Sequence, residues 1–202
     1  MKLISKKLIL KKSASMKITP TKIALLSLLL SACANDPTHL IVAPEVTSTS
    51  ISHYQNKQAM LKVTDMRTNK NIVQILRKDQ AAELYSSQEL LESIIQKTFA
   101  QQLKKQGLTV NTLSNNNIEV FVDKAVIIVE QTLMKYTATN EIVLRVKVNN
   151  GEQTLTNTFK TRGSSNGPLG ADIAVLERDF NQQLASLLTQ VLSNTDIQNF
   201  IR

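Results

Sequence analysis

The chain has 202 residues, with 24 Lys and Arg against 16 Asp and Glu, a formal net charge of +8, a single cysteine and two histidines. One cysteine excludes an internal disulfide framework, and two histidines leave little material for a histidine-ligated metal or a Ser-His-Asp triad. The charge is concentrated: Lys2, Lys6, Lys7, Lys11, Lys12, Lys17 and Lys22 precede the cysteine, and without them 17 basic residues face 16 acidic ones, a net charge of about +1. A nucleic-acid partner would need a basic patch on the remaining chain, where only the short pairs Arg77-Lys78 and Lys104-Lys105 are found, so none is expected.

From the N-terminus, the seven lysines form a basic segment with no acidic residue before Asp36, followed by the apolar run 23–30. That run is far short of the roughly 20 apolar residues needed to span a bilayer, and has the order of a secretory signal peptide. Leu30-Ser31-Ala32-Cys33 follows it and resembles the lipobox of a bacterial lipoprotein. The resemblance implies cleavage before Cys33 and acylation of that residue, so the expected covalent group is a lipid and no cofactor is expected. Translation is compatible with a start at Met1 or at Met16. In enterobacterial sorting an Asp after the lipidated Cys favours the inner membrane; here Ala34 and Asn35 follow, so the expected location is the outer membrane, with the domain in the periplasm. The expected organisation is a signal peptide over 1–32, an anchor and tether with one short strand over 33–58, and one α+β domain over 59–202.

Residues 40–43 read as a brief strand stopped by Pro44. The alternation in 61–65 and the apolar run in 71–76 read as two strands that pair across a turn at 68–70. Ser86-Ser87-Gln88-Glu89 has capping-box spacing, and Leu90, Leu91, Ile94, Ile95, Thr98, Phe99 and Leu103 then recur at helical steps, with Glu92, Gln96, Lys97 and Gln101 facing out. Gly107 ends this helix. A short strand at 108–110 precedes a long one over 118–130, in which the phase change near Asp123-Lys124 suggests a bulge. The strand 141–148 turns at Asn149-Asn150-Gly151 into a return strand over 152–160, with Leu155 and Phe159 inward. The stretch 163–170 reads as a flexible loop. A second long helix carries Ile173, Leu176, Phe180, Leu184, Leu187, Leu188, Val191 and Leu192, and 197–201 reads as a short helical tail. These elements predict an α+β fold: a two-layer, mostly antiparallel sheet with two long amphipathic helices on one face.

The lipobox with Pro37 to Pro44 after it, Gly107-Leu108-Thr109-Val110, Lys135-Tyr136-Thr137-Ala138 and the closing Asp196 to Ile201 together resemble the YajG-type lipoprotein family. That resemblance implies a small outer-membrane lipoprotein of Gram-negative bacteria without established enzymatic activity. It also implies a link to cell-wall turnover, through genes beside a permease for cell-wall fragments. It supplies no catalytic residues.

The residues themselves point to no reaction. His39 and His53 fall in the expected tether. Asp172, Glu177 and Asp179 read as a helix start meeting its dipole. Glu119 and Asp123, four residues apart on a strand, are separated by about 13 Å, too far for a glycosidase pair. Tyr136, Arg145, Lys147, Lys160 and Arg162 read as a solvated sheet face. Three classes remain open: a non-enzymatic envelope lipoprotein binding a protein or peptidoglycan, with strand addition at a sheet edge as its mode; a subunit of an envelope-spanning secretion or motility complex; and a peptidoglycan hydrolase.

Overall fold

The computed structural model describes residues 39–47 and 53–201. They run in order through β1 (His39–Leu40), β2 (Gln58–Asp65), β3 (Asn71–Arg77), β4 (Glu83–Ser87), α1 (Leu91–Lys105), β5 (Thr109–Val110), β6 (Asn117–Gln131), β7 (Lys135–Asn149), β8 (Thr154–Pro168), α2 (Ile173–Leu192) and α3 (Thr195–Phe200). The lipobox residues Leu30, Ser31, Ala32 and Cys33, the sorting positions Ala34 and Asn35, and the signal peptide lie outside the described residues.

The fold is α+β, built on a curled sheet that is mixed rather than mostly antiparallel. The pairings β1–β4, β2–β5, β2–β6 and β3–β6 are parallel, whereas β3–β4, β6–β7 and β7–β8 are antiparallel. The difference comes from β2 and β3. They do not pair with each other but lie end to end along one edge of β6, β2 beside Asn117 to Val122 and β3 beside Ile127 to Gln131. Local alternation identifies a strand but says nothing about parallel partners some fifty residues away. The other edge of β6 is filled by β7, with a register shift between Val122 and Lys124 where the phase change in the sequence put a bulge.

The end-to-end arrangement leaves β6 backbone groups between Val122 and Ile127 without a strand partner on that edge. Two groups close the gap. Met66 donates its N–H to the Val122 carbonyl at 3.0 Å, and Arg67 turns its guanidinium inward to donate Nη1 to the Ala125 carbonyl at 2.8 Å. Its Nε and Nη2 bind the two Asp65 oxygens at 3.0 and 2.8 Å, and both side chains are only 6% exposed. Burial pushes the Asp65 carboxyl up, but the Arg67 hydrogen bonds and charge, with Lys70, outweigh it and hold the group below its ordinary range.

The core forms one cluster, in which the inward residues of β6 and β7, from Ile118 to Val129 and Ala138 to Val148, meet Leu91, Ile95 and Phe99 of α1 and Leu176, Phe180, Leu184, Leu187 and Leu188 of α2. Truncating a fully buried member such as Phe180 to Ala costs about 3–5 kcal/mol. The segment expected to be a tether joins this core through Leu40, Val42 and Tyr54. Burial pushes the Tyr54 phenol up to about 12. Gly107, at φ +90°, closes α1 in the left-handed conformation that a side chain would strain.

Several boundaries differ from the sequence reading. Ser86 and Ser87 belong to β4, and α1 starts after Leu90, which is 66% exposed and makes no side-chain cap. β7 begins at Lys135 rather than Glu141, and the supposed flexible loop at 163–168 is the continuation of β8, fully in register with β7.

Arg67→Ala would leave Asp65 buried opposite no guanidinium and the Ala125 carbonyl without its donor. We expect a loss of about 3–5 kcal/mol in urea unfolding of the full chain; a loss under about 1 kcal/mol would show that the gap in β6 is bridged without this residue.

Candidate functional site

The two sides of the sheet are finished differently. On the β2 side, where β5 covers only Gln58 and Ala59, the exposed N–H groups of β2 are capped from α1: Asp65 N–H donates to Glu92 Oε2 at 3.0 Å and Val63 N–H to Gln96 Oε1 at 3.4 Å. Glu92 and Gln96, read from sequence as outward residues, therefore serve as strand substitutes. The β4 edge is covered by β1 at Ser86 and Ser87. Beyond β1, Ile41 N–H donates to Glu177 Oε2 at 2.7 Å and Ala43 N–H to Asn181 Oδ1 at 2.9 Å, while Asn181 Nδ2 returns a bond to the Ile41 carbonyl at 3.0 Å.

β8 has no such cover among the described residues. It pairs with β7 alone, without a bulge, over its whole 15 residues. Which backbone groups are free follows from the hairpin. Asn150 N–H bonds the Gln153 carbonyl at 3.2 Å, so 150 and 153 are a hydrogen-bonded pair and the next pair, Asn149 with Thr154, is not. Alternation then turns the N–H and C=O groups of Thr154, Thr156, Thr158, Lys160, Arg162, Ser164 and Asn166 toward the open edge. Pro168 fits this phase, since it has no N–H to give. Native edges are blunted by shortness, bulges, proline or charged side chains; along Thr154 to Gly167 β8 is long, regular and free of proline, and carries charge only at Lys160 and Arg162.

On the outward face of this part of the sheet the charges are paired across strands. Glu141 is the centre: Lys124 Nζ lies 2.5 Å and Lys160 Nζ 2.6 Å from its carboxylate, and Arg162 adds Nε and Nη2 at 2.9 Å. Hydrogen bonds from Lys124 and then Lys160, together with Arg162, overcome burial and lower the Glu141 pKa to about 2. Arg145 binds Asp123 at 2.9 and 3.0 Å and lies over the Phe121 ring, 4.6 Å from its centre, and Lys147 pairs with Glu119 at 3.2 Å. Arg145, Lys147, Lys160 and Arg162, read from sequence as a solvated sheet face, are thus each ion-paired, with Lys160 and Arg162 sharing the Glu141 carboxylate with Lys124. Tyr136 does not belong to that face; its ring lies against Gly167 and packs on the core.

On the inward face, just inside the open edge, is a cleft of about 140 Å³. Its floor is the row Ile127, Asn140 and Gly163 across β6, β7 and β8, with Ala138 and Ser165 beside it, and its wall is the Asp179, Gln182 and Gln183 flank of α2. The Gln183 amide lies in the space that a side chain at Gly163 would take, its Nε2 2.1 Å from where a Cβ would stand. Asn140 is 5% exposed, and its Oδ1 and Nδ2, like Gln183 Oε1, have no hydrogen-bond partner among the described residues.

The carboxylates weighed in the sequence have structural duties. Asp172 caps α2 by accepting from Ala174 N–H at 2.8 Å, Glu177 holds Ile41, and Asp179 pairs with Arg178 at 3.1 Å. Glu119 and Asp123 are held by Lys147 and Arg145. Asn140, Gly163 and Gln183 were not found from sequence. Asn140 is the one polar residue among the inward positions of β7, a signal hidden by starting that strand at Glu141.

A family model described as an uncharacterized lipoprotein matches residues 44–202. No curated protein matches the chain significantly. Among solved structures, the DUF330 protein XCC0632 of Xanthomonas campestris shares the fold at TM-score 0.56 and 14% identity, over 81% of this chain and 97% of that one. A Helicobacter pylori protein described as a neuraminyllactose-binding hemagglutinin homologue aligns at TM-score 0.45 and 12% identity, over 80% and 96%. Rare lipoprotein B of Shewanella oneidensis aligns at 0.35 and 12%, over 64% and 98%.

Because the folded pKa of Glu141 is depressed, its contribution to stability is fully present above its ordinary value of 4.5 and is lost as pH falls toward about 2. The Tm difference between the wild type and Glu141→Gln should be large at pH 7 and shrink between pH 4.5 and 2; a difference independent of pH would remove the charge cluster from the stability account.

Proposed function

The chain belongs to this family of uncharacterized lipoproteins, and on that premise we propose that it is a non-enzymatic, lipid-anchored envelope protein that holds an extended segment of another protein along β8. The observation that carries this reading is the contrast between edges. Side chains of α1 and α2 cap the backbone on one side of the sheet, while the 15-residue strand on the other side offers alternate N–H and C=O groups over about 50 Å. An added strand would satisfy these groups, each hydrogen bond contributing a net ~0.5–1.5 kcal/mol.

The anchor in this reading is Cys33, acylated after cleavage behind Leu30-Ser31-Ala32. Ala34 and Asn35, in place of an inner-membrane Asp signal, support outer-membrane sorting with the domain in the periplasm, and the motifs from Pro37 to Ile201 support the narrower YajG-type assignment. A non-enzymatic role is supported by the structural duties of Glu119, Asp123, Asp172, Glu177 and Asp179. Membership in a larger secretion or motility assembly would be the same mode with a larger partner.

Two variants test separate parts. Thr158→Pro removes an N–H that faces the open edge and leaves the β7 ladder intact, so the domain should keep its Tm while the partner recovered by crosslinking in cells drops about tenfold. Undiminished recovery would show that the edge is not the binding surface. Cys33→Ser should shift the protein from the membrane to the soluble fraction and abolish acyl labelling; retention in membranes would refute the anchor.

A further inference from the structure

Three connections meet at one end of the sheet: 78–82 between β3 and β4, 132–134 between β6 and β7, and 169–172 between β8 and α2. They frame a cleft of about 690 Å³. Such turns ordinarily carry Gly, Asn, Asp or Ser, yet two of these present large apolar side chains: Leu133 is 94% exposed, Met134 78% and Leu169 66%. A single exposed leucine needs no explanation, but three apolar side chains gathered at one tip mark a contact surface. Their backbone is fixed. Thr132 N–H donates to the Lys135 carbonyl at 2.8 Å and Leu169 N–H to the Met134 carbonyl at 2.9 Å. Leu169 also sits at φ +60°, in the left-handed region where a leucine is strained, so the chain accepts that strain while leaving an apolar side chain in solvent beside Met134.

The course of the chain identifies what covers this tip. β4 starts at the same end, with Glu83 opposite Ile75, which in turn lies beside Val129 of β6. β1 runs parallel to β4 with His39 beside Ser86, so the chain enters β1 from the side of the tip. From His39 to the level of Leu133 is three residues along β4 and four along β6, about 23 Å at the rise of a strand. Cys33 precedes His39 by six residues, a reach of about 22 Å at most. The two lengths match, so a lipid on Cys33 can reach the level of the tip and hardly beyond it. Lys78 and Lys135 are exposed around the tip, but so are Asp79 and Asp172, which makes the contact apolar rather than one of charge. We propose that Leu133, Met134 and Leu169 insert into the membrane surface that holds the acylated Cys33, as a second, noncovalent attachment. The sheet then stands on end, and the open edge of β8 runs away from the membrane from Pro168 to Thr154.

This inference rests on the Cys33 anchor, and the experiment separates the two. The chain has no tryptophan, so Leu133→Trp places a lone reporter at the tip, and Leu113→Trp places one at a leucine 89% exposed beyond the Asn117 end of β6. Each purified full-length lipoprotein is reconstituted into phosphatidylethanolamine and phosphatidylglycerol vesicles containing brominated phosphatidylcholine, which quenches only tryptophan in contact with the acyl region. The Leu133→Trp protein should shift its emission to the blue and lose most of it to the brominated lipid, whereas the Leu113→Trp protein should do neither. An unquenched Leu133→Trp protein that still floats with the vesicles would overturn the tip contact and leave the anchor standing. Equal quenching of both proteins would overturn it too, as contact without preference for the tip. A blue shift without quenching would put protein against the tip in place of lipid. Absence of an acyl group on Cys33, with loss of flotation, would overturn the anchor and this inference together.

Discussion

One strand has to be satisfied along both of its edges, and the rest of the fold follows from how that is done. β6 is matched by β7 on one side along its full length, but on the other it is served by β2 and β3 in succession. The interruption is bridged by a buried guanidinium that binds the Ala125 carbonyl on one side and Asp65 on the other. Both ions are desolvated, so neither is stable there without the other. The chain uses the same device on a larger scale at the sheet margin, where Glu92 and Gln96 from α1, and Glu177 and Asn181 from α2, take the hydrogen bonds a further strand would have made.

Against that pattern the bare edge of β8 is the exception, and the most informative residues lie beside it. Glu141 and Asn140 are neighbours in β7 but face opposite sides. Glu141 is saturated by Lys124, Lys160 and Arg162, whereas Asn140 is buried with no partner. Asn140 shares this state with Gln106 Oε1 and Asn117 Oδ1, which are also buried without a partner among the described residues.

Much of the architecture is legible in local sequence. The helical stripe from Ile173 to Leu192, the bulge at Asp123 and the turn at Asn150-Gly151 were readable because each depends on a few adjacent residues. The parallel pairing of β2 and β3 with β6 was not, because no turn records it. Ser86 to Glu89 imitated a helix cap, yet tertiary pairing with Asn71 and His39 drew Ser86 into β4. The Gly-Ser run after Arg162 looked like a loop for want of large side chains, but pairing with β7 extends the strand through it, and the Gln183 amide fills the space beside Gly163. The lipobox reading rests on order and spacing and lies outside the described residues, whereas the cleft needed three strands and a helix brought together.

The central claim is that the edge of β8 is open and receives a strand. Residue-resolved amide hydrogen exchange along β8 tests it most directly, in the protein alone and in the protein recovered with its envelope partner. The account predicts that in isolation the amides of Thr156, Thr158, Lys160 and Arg162 exchange rapidly while those of the intervening residues are protected by β7, and that the partner protects both sets. Uniform protection in the isolated protein, or persistence of the alternation with the partner bound, would contradict it.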